Sequence, residues 1–130
     1  MKRNRGAVII QSNNKVLLIK RKRENQVYYV FPGGGIEKGE TAEEAAKREA
    51  LEELGVRVNI HECLQEVEHN GTQYYFRAEI LEGEIGTGVG EEFTDQTRNR
   101  GSYHPMWIDV THLTSIGVRP REVADRILES

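Results

Sequence analysis

The 130-residue chain has few residues of the kinds that cross-link a protein or hold it in a membrane. It contains one cysteine, Cys63, which excludes an intramolecular disulfide and any zinc site built from several cysteines. The apolar run near the N-terminus, residues 7–10, is too short for the core of a signal peptide, and no segment approaches the length of a membrane span. These absences predict a soluble domain in the cytoplasm.

The two parts of the chain carry net charges of opposite sign. Residues 1–26 carry eight basic residues and one acidic residue, whereas residues 27–130 carry ten basic and twenty acidic residues. The formal net charge of −3 is therefore the sum of a basic segment at +7 and an acidic remainder at −10. Such an asymmetry indicates either a charged partner for the N-terminal segment or ordinary solvated strand ends.

The sequence predicts a series of short strands and two helices. Apolar runs and period-two alternation predict strands over residues 5–11, 15–20, 27–31, 72–81 and 103–110, with another opening at Val56. A capping box of Thr41 and Glu44, with Gly55 beyond, bounds a helix over residues 42–54. Pro120 opens a second helix. The pattern predicts one mixed α/β domain over residues 1–130.

The helix over residues 42–54 has an unusual distribution of acidic residues. Ala50, Leu51 and Leu54 fall on one arc and are predicted to face the core. Glu49, Glu52 and Glu53 fall on the opposite arc beside small alanines. One interpretation is a solvated acidic face. The other is a site for a hard cation such as Mg²⁺ or Mn²⁺, because convergent carboxylates suit such ions and the alanines leave space.

The segment around this helix has glycines and acidic residues at fixed spacings, and residues 34–56 read GGIEKGETAEEAAKREALEELGV. It resembles the Nudix box, G-x5-E-x7-R-E-U-x-E-E-x-G-U, where U is a bulky aliphatic residue. The matching positions are Gly34, Glu40, Arg48, Glu49, Glu52, Glu53, Gly55 and Val56. Ala50 departs from the pattern at the first U position. This is a packing position, so the departure affects how the helix packs and not the chemistry.

This resemblance implies both a fold and a chemistry. The Nudix fold belongs to the α/β (α+β) class, with a mixed β-sheet packed between helices as an α/β/α sandwich. The implied enzyme hydrolyses the pyrophosphate linkage of a nucleoside diphosphate joined to another group, with Mg²⁺ or Mn²⁺ as cofactor. The metal ligands implied by the resemblance are Glu49, Glu52, Glu53 and the carbonyl of Gly33. Arg48 would orient the carboxylates and pair with Glu40.

The general base has no single place in the family. Glu52 and Glu53 are candidates within the box. Glu91 and Glu92 are further candidates for a base or an extra metal ligand, because they lie in a glycine-rich stretch over residues 82–102. The alternative for that stretch is a solvated loop.

Substrate contacts are predicted in the segments before and after the strand over residues 27–31. Gly34 and Gly35 let the backbone approach a phosphate closely. Arg21 and Arg23, in the run Lys-Arg-Lys-Arg, either contact the substrate phosphate or form a solvated strand end. The expected partner is a small-molecule nucleotide, with no membrane and no nucleic acid, and family members are often homodimers.

Two alternatives to this enzyme stay open. Some Nudix-like domains bind nucleotides and regulate without hydrolysis, although these typically have lost box carboxylates that this chain retains. An RNA 5′-end pyrophosphohydrolase is the weaker enzymatic alternative. The acidic charge of residues 27–130 opposes a broad surface that follows phosphates, but the basic N-terminal segment could hold a short 5′ end.

Overall fold

The structure, a computed structural model, describes residues 3–85 and 102–129. Its strands are β1 (Arg5–Ser12), β2 (Lys15–Arg23), β3 (Gln26–Val30), β4 (Gly33–Gly35), β5 (Val56–Glu68), β6 (Thr72–Gly83), β7 (Ser102–Asp109) and β8 (Val118–Arg119). Its helices are α1 (Ala42–Leu54), a 3₁₀ turn (Val110–His112) and α2 (Arg121–Glu129). Helix α1 has the predicted bounds, with the Thr41–Glu44 capping box and a left-handed Gly55 both present. No helix in these two ranges is long and apolar enough to cross a membrane.

The strands form a mixed sheet in the order β5-β6-β1-β2-β3-β8, with β4 paired to β1 and β7 paired to β2. Strand β1 runs parallel to β6, whereas β2 is antiparallel to both β3 and β7. The β1–β2 hairpin pairs only near its turn, at Gln11 with Val16 and at Ser12 with Lys15. The start of β1 pairs instead with β4, the glycine strand, so β4 is the neighbour of β1 where β2 is not paired with it.

The sheet is buried on both faces. Ala7 and Ile9 of β1 belong to the apolar cluster that contains the buried residues of α2. Val8 and Ile10 belong to the cluster that contains Ala46, Ala50 and Leu54 of α1. Because neighbouring residues of a strand point to opposite faces, each helix covers one face of the sheet. The predicted α/β/α sandwich is confirmed.

The side of helix α1 that faces the sheet overlaps the predicted one only in part. Leu51 is 49% exposed, so the prediction that it faces the core is wrong. Ala50 and Leu54 are fully buried, as predicted, but Ala45 and Ala46 on the acidic arc are fully buried too, so these two alanines do not leave space for a ligand. Their small side chains let the helix backbone approach β1 closely. At Gly6 of β1, a Cβ atom would overlap the backbone carbonyl of α1 directly above it.

This close approach leads to the first testable prediction. Gly6→Ala is expected to destabilise the protein by about 1–3 kcal/mol, because the added methyl group meets backbone atoms that cannot move independently. Urea unfolding of the variant measures the loss. The matched control is Gly39→Asn, since Gly39 has a left-handed φ of 85° but no neighbour within 4 Å of its missing Cβ. Equal stability of the two variants would contradict the packing explanation.

The glycine run after Pro32 forms a short strand, β4. In β4, Gly33 pairs with Ala7, Gly34 with Gly6 and Gly35 with Arg5. A Cβ at Gly33 would overlap Ala7 and the carbonyl of Gly6. The glycines therefore permit close strand pairing, and this pairing fixes the backbone that borders the candidate site.

Candidate active site

A cavity of about 250 Å³ lies between α1, β4 and the neighbouring strands β2 and β7. It is lined by Arg3, Arg5, Arg21, Val30, Phe31, Gly33, Gly34, Gly35, Glu49, Glu53 and Tyr103. The lining contains most of the residues predicted for metal and substrate binding. Glu52 and Arg23 do not line it, and Glu91 and Glu92 lie outside the described residues.

Glu53 is held inside the cavity wall by contacts from two strands. Its side chain is buried, with 3% of the residue exposed. Its Oε1 atom accepts a hydrogen bond of 2.7 Å from the backbone N–H of Gly33, and its Oε2 atom accepts one from the hydroxyl of Tyr103. The arc that carries Glu53 is therefore covered by β4 and β7.

Glu49 lies one helical turn earlier and against the glycine strand. A Cβ atom at Gly34 would overlap the Glu49 carboxylate, so a glycine is needed there for the contact. The Glu49 side chain is 13% exposed, and its Oε2 atom accepts a hydrogen bond of 2.9 Å from Arg48. Glu49 and Glu53 thus present two carboxylates to one cavity.

Arg48 holds the carboxylates and the glycine strand in place. It donates from Nε and Nη2 to the two oxygens of Glu40, at 2.8 and 3.1 Å, and from Nη2 to the carbonyl of Gly35 at 2.9 Å. Its Nη1 atom donates to Glu49 at 2.9 Å and lies 3.4 Å from Glu52. Hydrogen bonds to these carboxylates raise the pKa of Arg48, so the guanidinium stays charged.

The ion pair of Glu40 with Arg48 predicts a pH dependence of stability. The Arg48 side chain, followed by the backbone N–H of Glu37, lowers the pKa of Glu40 from its ordinary 4.5. The stabilisation is therefore present above pH 4.5 and is lost as the pH falls through the lowered pKa. Wild type should exceed Glu40→Gln in free energy of unfolding above that pH, and the difference should shrink in more acidic solution. Urea unfolding across this pH range checks it, and a difference that does not vary with pH would contradict it.

The donor atoms of the cavity fit a hard divalent cation. Glu49 and Glu53 supply carboxylate oxygens beside the backbone of β4, and Mg²⁺ prefers oxygen ligands. Among the described residues, no three Asp, Glu, His or Cys side chains already form a metal-binding group. Mg²⁺ is commonly bound by one or two carboxylates together with substrate phosphates. Glu52, with a side chain 44% exposed, contacts Arg48 rather than the cavity.

Basic and aromatic side chains form the other half of the cavity. The guanidinium of Arg21 lies over the ring of Tyr103, with 4.7 Å from its central carbon to the ring centroid. Arg5 donates to the Gly33 carbonyl at 3.3 Å, so this predicted metal ligand already accepts one hydrogen bond. The side chain of Arg3 packs where a Cβ at Gly35 would lie.

Sequence reasoning did not single out Arg3, Arg5 or Tyr103 as site residues. The basic excess of residues 1–26 was a signal for the two arginines, which lie close in the fold to Arg21 of the same segment. For Tyr103 there was no signal, because only its position on β7 brings it to the cavity.

A second cavity of about 440 Å³ adjoins the first and shares Arg5, Val30 and Phe31 with it. Its wall includes the ring of Tyr75, which meets Phe31 edge to face at 5.7 Å between ring centroids. Burial raises the pKa of Tyr75 to about 12, so the hydroxyl stays protonated near neutral pH. The larger cavity is lined by charged and polar side chains as well as by Phe31 and Tyr75.

The fold and the site now allow comparison with known proteins. The family profile of the NUDIX domain matches residues 1–125, and the chain belongs to this family. Among solved structures, a NUDIX hydrolase from Nitrosomonas europaea superposes with a TM-score of 0.77 at 19% identity, over 99% of this chain and 88% of that one. A MutT NUDIX hydrolase from Burkholderia pseudomallei gives 0.74 at 25% identity, over 95% of each chain.

Curated relatives match over a shorter stretch. Nucleoside triphosphatase NudI of Enterobacter sp. (strain 638) is 47% identical over 40% of this chain and 39% of its own length. An RNA pyrophosphohydrolase of Baumannia cicadellinicola is 48% identical over 42% and 33%. An ADP-ribose pyrophosphatase of Methanocaldococcus jannaschii is 51% identical over 37% and 29%. The matches therefore span about a third of these relatives.

Proposed function

We propose that this protein is a divalent-metal-dependent hydrolase that cleaves the pyrophosphate linkage of a nucleoside diphosphate joined to another group. The substrate class comprises nucleoside triphosphates, dinucleoside polyphosphates and nucleotide sugars. One observation carries the proposal: Glu49 and Glu53 share a cavity with Arg3, Arg5 and Arg21. Acidic groups that bind a cation and basic groups that bind phosphate are together what a metal-assisted attack of water on phosphorus requires.

Glu49 and Glu53, with backbone oxygens of the glycine strand, would hold the Mg²⁺ or Mn²⁺ ion. When bound, such an ion neutralises charge on the pyrophosphate oxygens and activates water. Arg48 fixes the orientation of Glu49 and, through the Gly35 carbonyl, the position of β4. Arg48 therefore positions Glu49 and the strand before the substrate arrives, while Gly33 and Tyr103 position Glu53.

Three candidates remain for the residue that accepts the proton from water: Glu52, Glu91 and Glu92. Both oxygens of Glu53 already accept hydrogen bonds, so we assign this residue to metal binding rather than proton transfer. Glu52 is more exposed and stays a candidate base. Glu91 and Glu92, outside the described residues, stay candidates as well.

The substrate is proposed to lie across both cavities. Its phosphates would contact Arg21, Arg5 and Arg3, whose charges complement them. Its nucleoside would enter the larger cavity, where Phe31 and Tyr75, 3% and 6% exposed, form part of the wall. The shared wall formed by Arg5, Val30 and Phe31 is where the sugar and the first phosphate would meet.

A substrate panel tests this proposal. Purified protein is assayed with nucleoside triphosphates, diadenosine polyphosphates, ADP-ribose and UDP-sugars, in the presence of Mg²⁺, Mn²⁺ or EDTA. The expected result is metal-dependent release of a nucleoside monophosphate from at least one substrate and no turnover in EDTA. Nucleotide binding without any turnover would overturn the proposal in favour of a regulatory binding module.

One alternative substrate has a specific observation in its favour. The basic residues Arg3, Arg5 and Arg21 line the cavity, and one of the matched relatives is named an RNA pyrophosphohydrolase. The panel therefore includes an RNA with a 5′-triphosphate. Preferential turnover of this RNA over all the free nucleotides would replace the small-nucleotide assignment.

A further inference from the structure

Tyr103 contacts both the acidic half and the basic half of the cavity. Its hydroxyl donates a hydrogen bond to Oε2 of Glu53. Its ring lies under the guanidinium of Arg21, at 4.7 Å from the central carbon to the ring centroid. Glu53 and Arg21 are the residues to which metal binding and phosphate binding are assigned above, so one tyrosine touches the machinery for both.

The sheet fixes this arrangement. Arg21 of β2 and Tyr103 of β7 are directly paired residues of antiparallel strands, so their side chains emerge side by side on the same face. The Nε atom of Arg21 is buried and has no hydrogen-bond partner among the described residues. A buried charged donor of this kind is costly unless a ligand accepts from it. The ring of Tyr103 therefore holds Arg21 in the cavity until an anion binds.

We propose that Tyr103 is a positioning residue that serves metal binding and phosphate binding through different parts of its side chain. The hydroxyl orients the Glu53 carboxylate toward the cation. The ring holds the Arg21 guanidinium where it meets a phosphate oxygen. This inference rests on the proposed function, since it assigns a cation to Glu53 and a phosphate to Arg21.

Three variants separate the two roles. Tyr103→Phe removes the hydroxyl and keeps the ring, so it should weaken Mn²⁺ binding about tenfold and leave the KM of the nucleotide substrate unchanged. Arg21→Met should raise that KM about tenfold and leave Mn²⁺ binding unchanged. Tyr103→Leu removes ring and hydroxyl and should do both. Mn²⁺ binding without nucleotide is measured by the EPR signal of the free ion, and KM by steady-state kinetics.

The matched control is Tyr28→Phe. Tyr28 also carries an arginine on its ring, Arg119 at 4.1 Å. Tyr28 itself lines neither cavity, Arg119 lines the larger one, and phenylalanine keeps the ring that Arg119 contacts. This variant should keep wild-type Mn²⁺ affinity and KM. Wild-type Mn²⁺ affinity in Tyr103→Phe would overturn the role of the hydroxyl. An unchanged KM in folded Tyr103→Leu, or in Arg21→Met if the leucine variant does not fold, would overturn the role of the ring.

The Mn²⁺ measurement also separates this inference from the proposed function. If wild type hydrolyses no nucleotide of the panel, the proposed function fails, and the dissociation constant of inorganic pyrophosphate in saturating Mn²⁺ replaces KM. The variants are then compared by their affinities for Mn²⁺ and for pyrophosphate alone. A loss of Mn²⁺ affinity in Tyr103→Phe would still support the role of the hydroxyl, and wild-type affinity would reject it.

Discussion

Glu53→Gln is expected to lower kcat by at least about 100-fold while the fold stays intact. The amide has the shape of the carboxylate, and its oxygen still accepts from the N–H of Gly33. Its NH₂ group donates to the oxygen of Tyr103, whose hydroxyl hydrogen rotates away. The substitution therefore removes the negative charge and retains both contacts, so the stability should change by less than about 1 kcal/mol. Steady-state assays with Mg²⁺ and urea unfolding measure the two effects.

Two further variants serve as comparisons for Glu53→Gln. Glu53→Ala removes the acceptor of both hydrogen bonds and should cost about 2–4 kcal/mol in addition to the activity. Glu43→Gln, on the exposed side of the same helix, should retain wild-type kcat. If Glu53→Gln turns over as fast as Glu43→Gln, the metal assignment of Glu53 is wrong.

Arg48→Lys has the second largest expected effect. Lysine keeps the positive charge but has no planar fork, so it cannot serve Glu40, Glu49 and the Gly35 carbonyl together. We expect a loss of about 2 kcal/mol in stability, because the side chain is 24% exposed and water compensates part of the loss. We also expect kcat to fall about 10–100-fold, since Glu49 and β4 lose their common support. Urea unfolding and kinetics on the same preparation check both.

The control for this variant is Arg57→Lys. Arg57 pairs with Glu82 at the surface, where the two side chains are 69% and 61% exposed. A pair in this setting contributes little, so the substitution should change stability by less than about 0.5 kcal/mol. Equal losses at positions 48 and 57 would show that Arg48 acts only as an ordinary surface charge.

The sequence was most informative where the determining contacts are local. The bounds of α1 follow from Thr41, Glu44 and Gly55, which lie within one turn of its ends. The i, i+4 spacing of Arg48 and Glu52 also placed these two side chains near one another on the helix, whereas the contact of Arg48 with Glu49, its neighbour in sequence, does not follow from helical spacing. Helical periodicity and capping chemistry need no knowledge of the remaining chain.

The environment of Glu53 was beyond such reasoning. Its hydrogen-bond partners, Gly33 and Tyr103, are 20 and 50 residues away in sequence. Nothing in the periodicity of α1 indicates that β4 and β7 cover the arc carrying this residue. The exposure of Leu51 has the same origin, since the side of a helix that becomes buried is determined by where the sheet lies. Contacts between distant segments decided which residues form the cavity.

The pairing of β4 with β1 bears on how the site meets its substrate. A glycine-rich segment that is free in solution loses much backbone entropy when a ligand orders it. Here the ordering has already taken place during folding, because Gly33, Gly34 and Gly35 are residues of a sheet. Under the proposed function, the binding energy of the nucleotide is then available for distinguishing one phosphate compound from another. On this backbone, selectivity is determined by the side chains around a rigid strand.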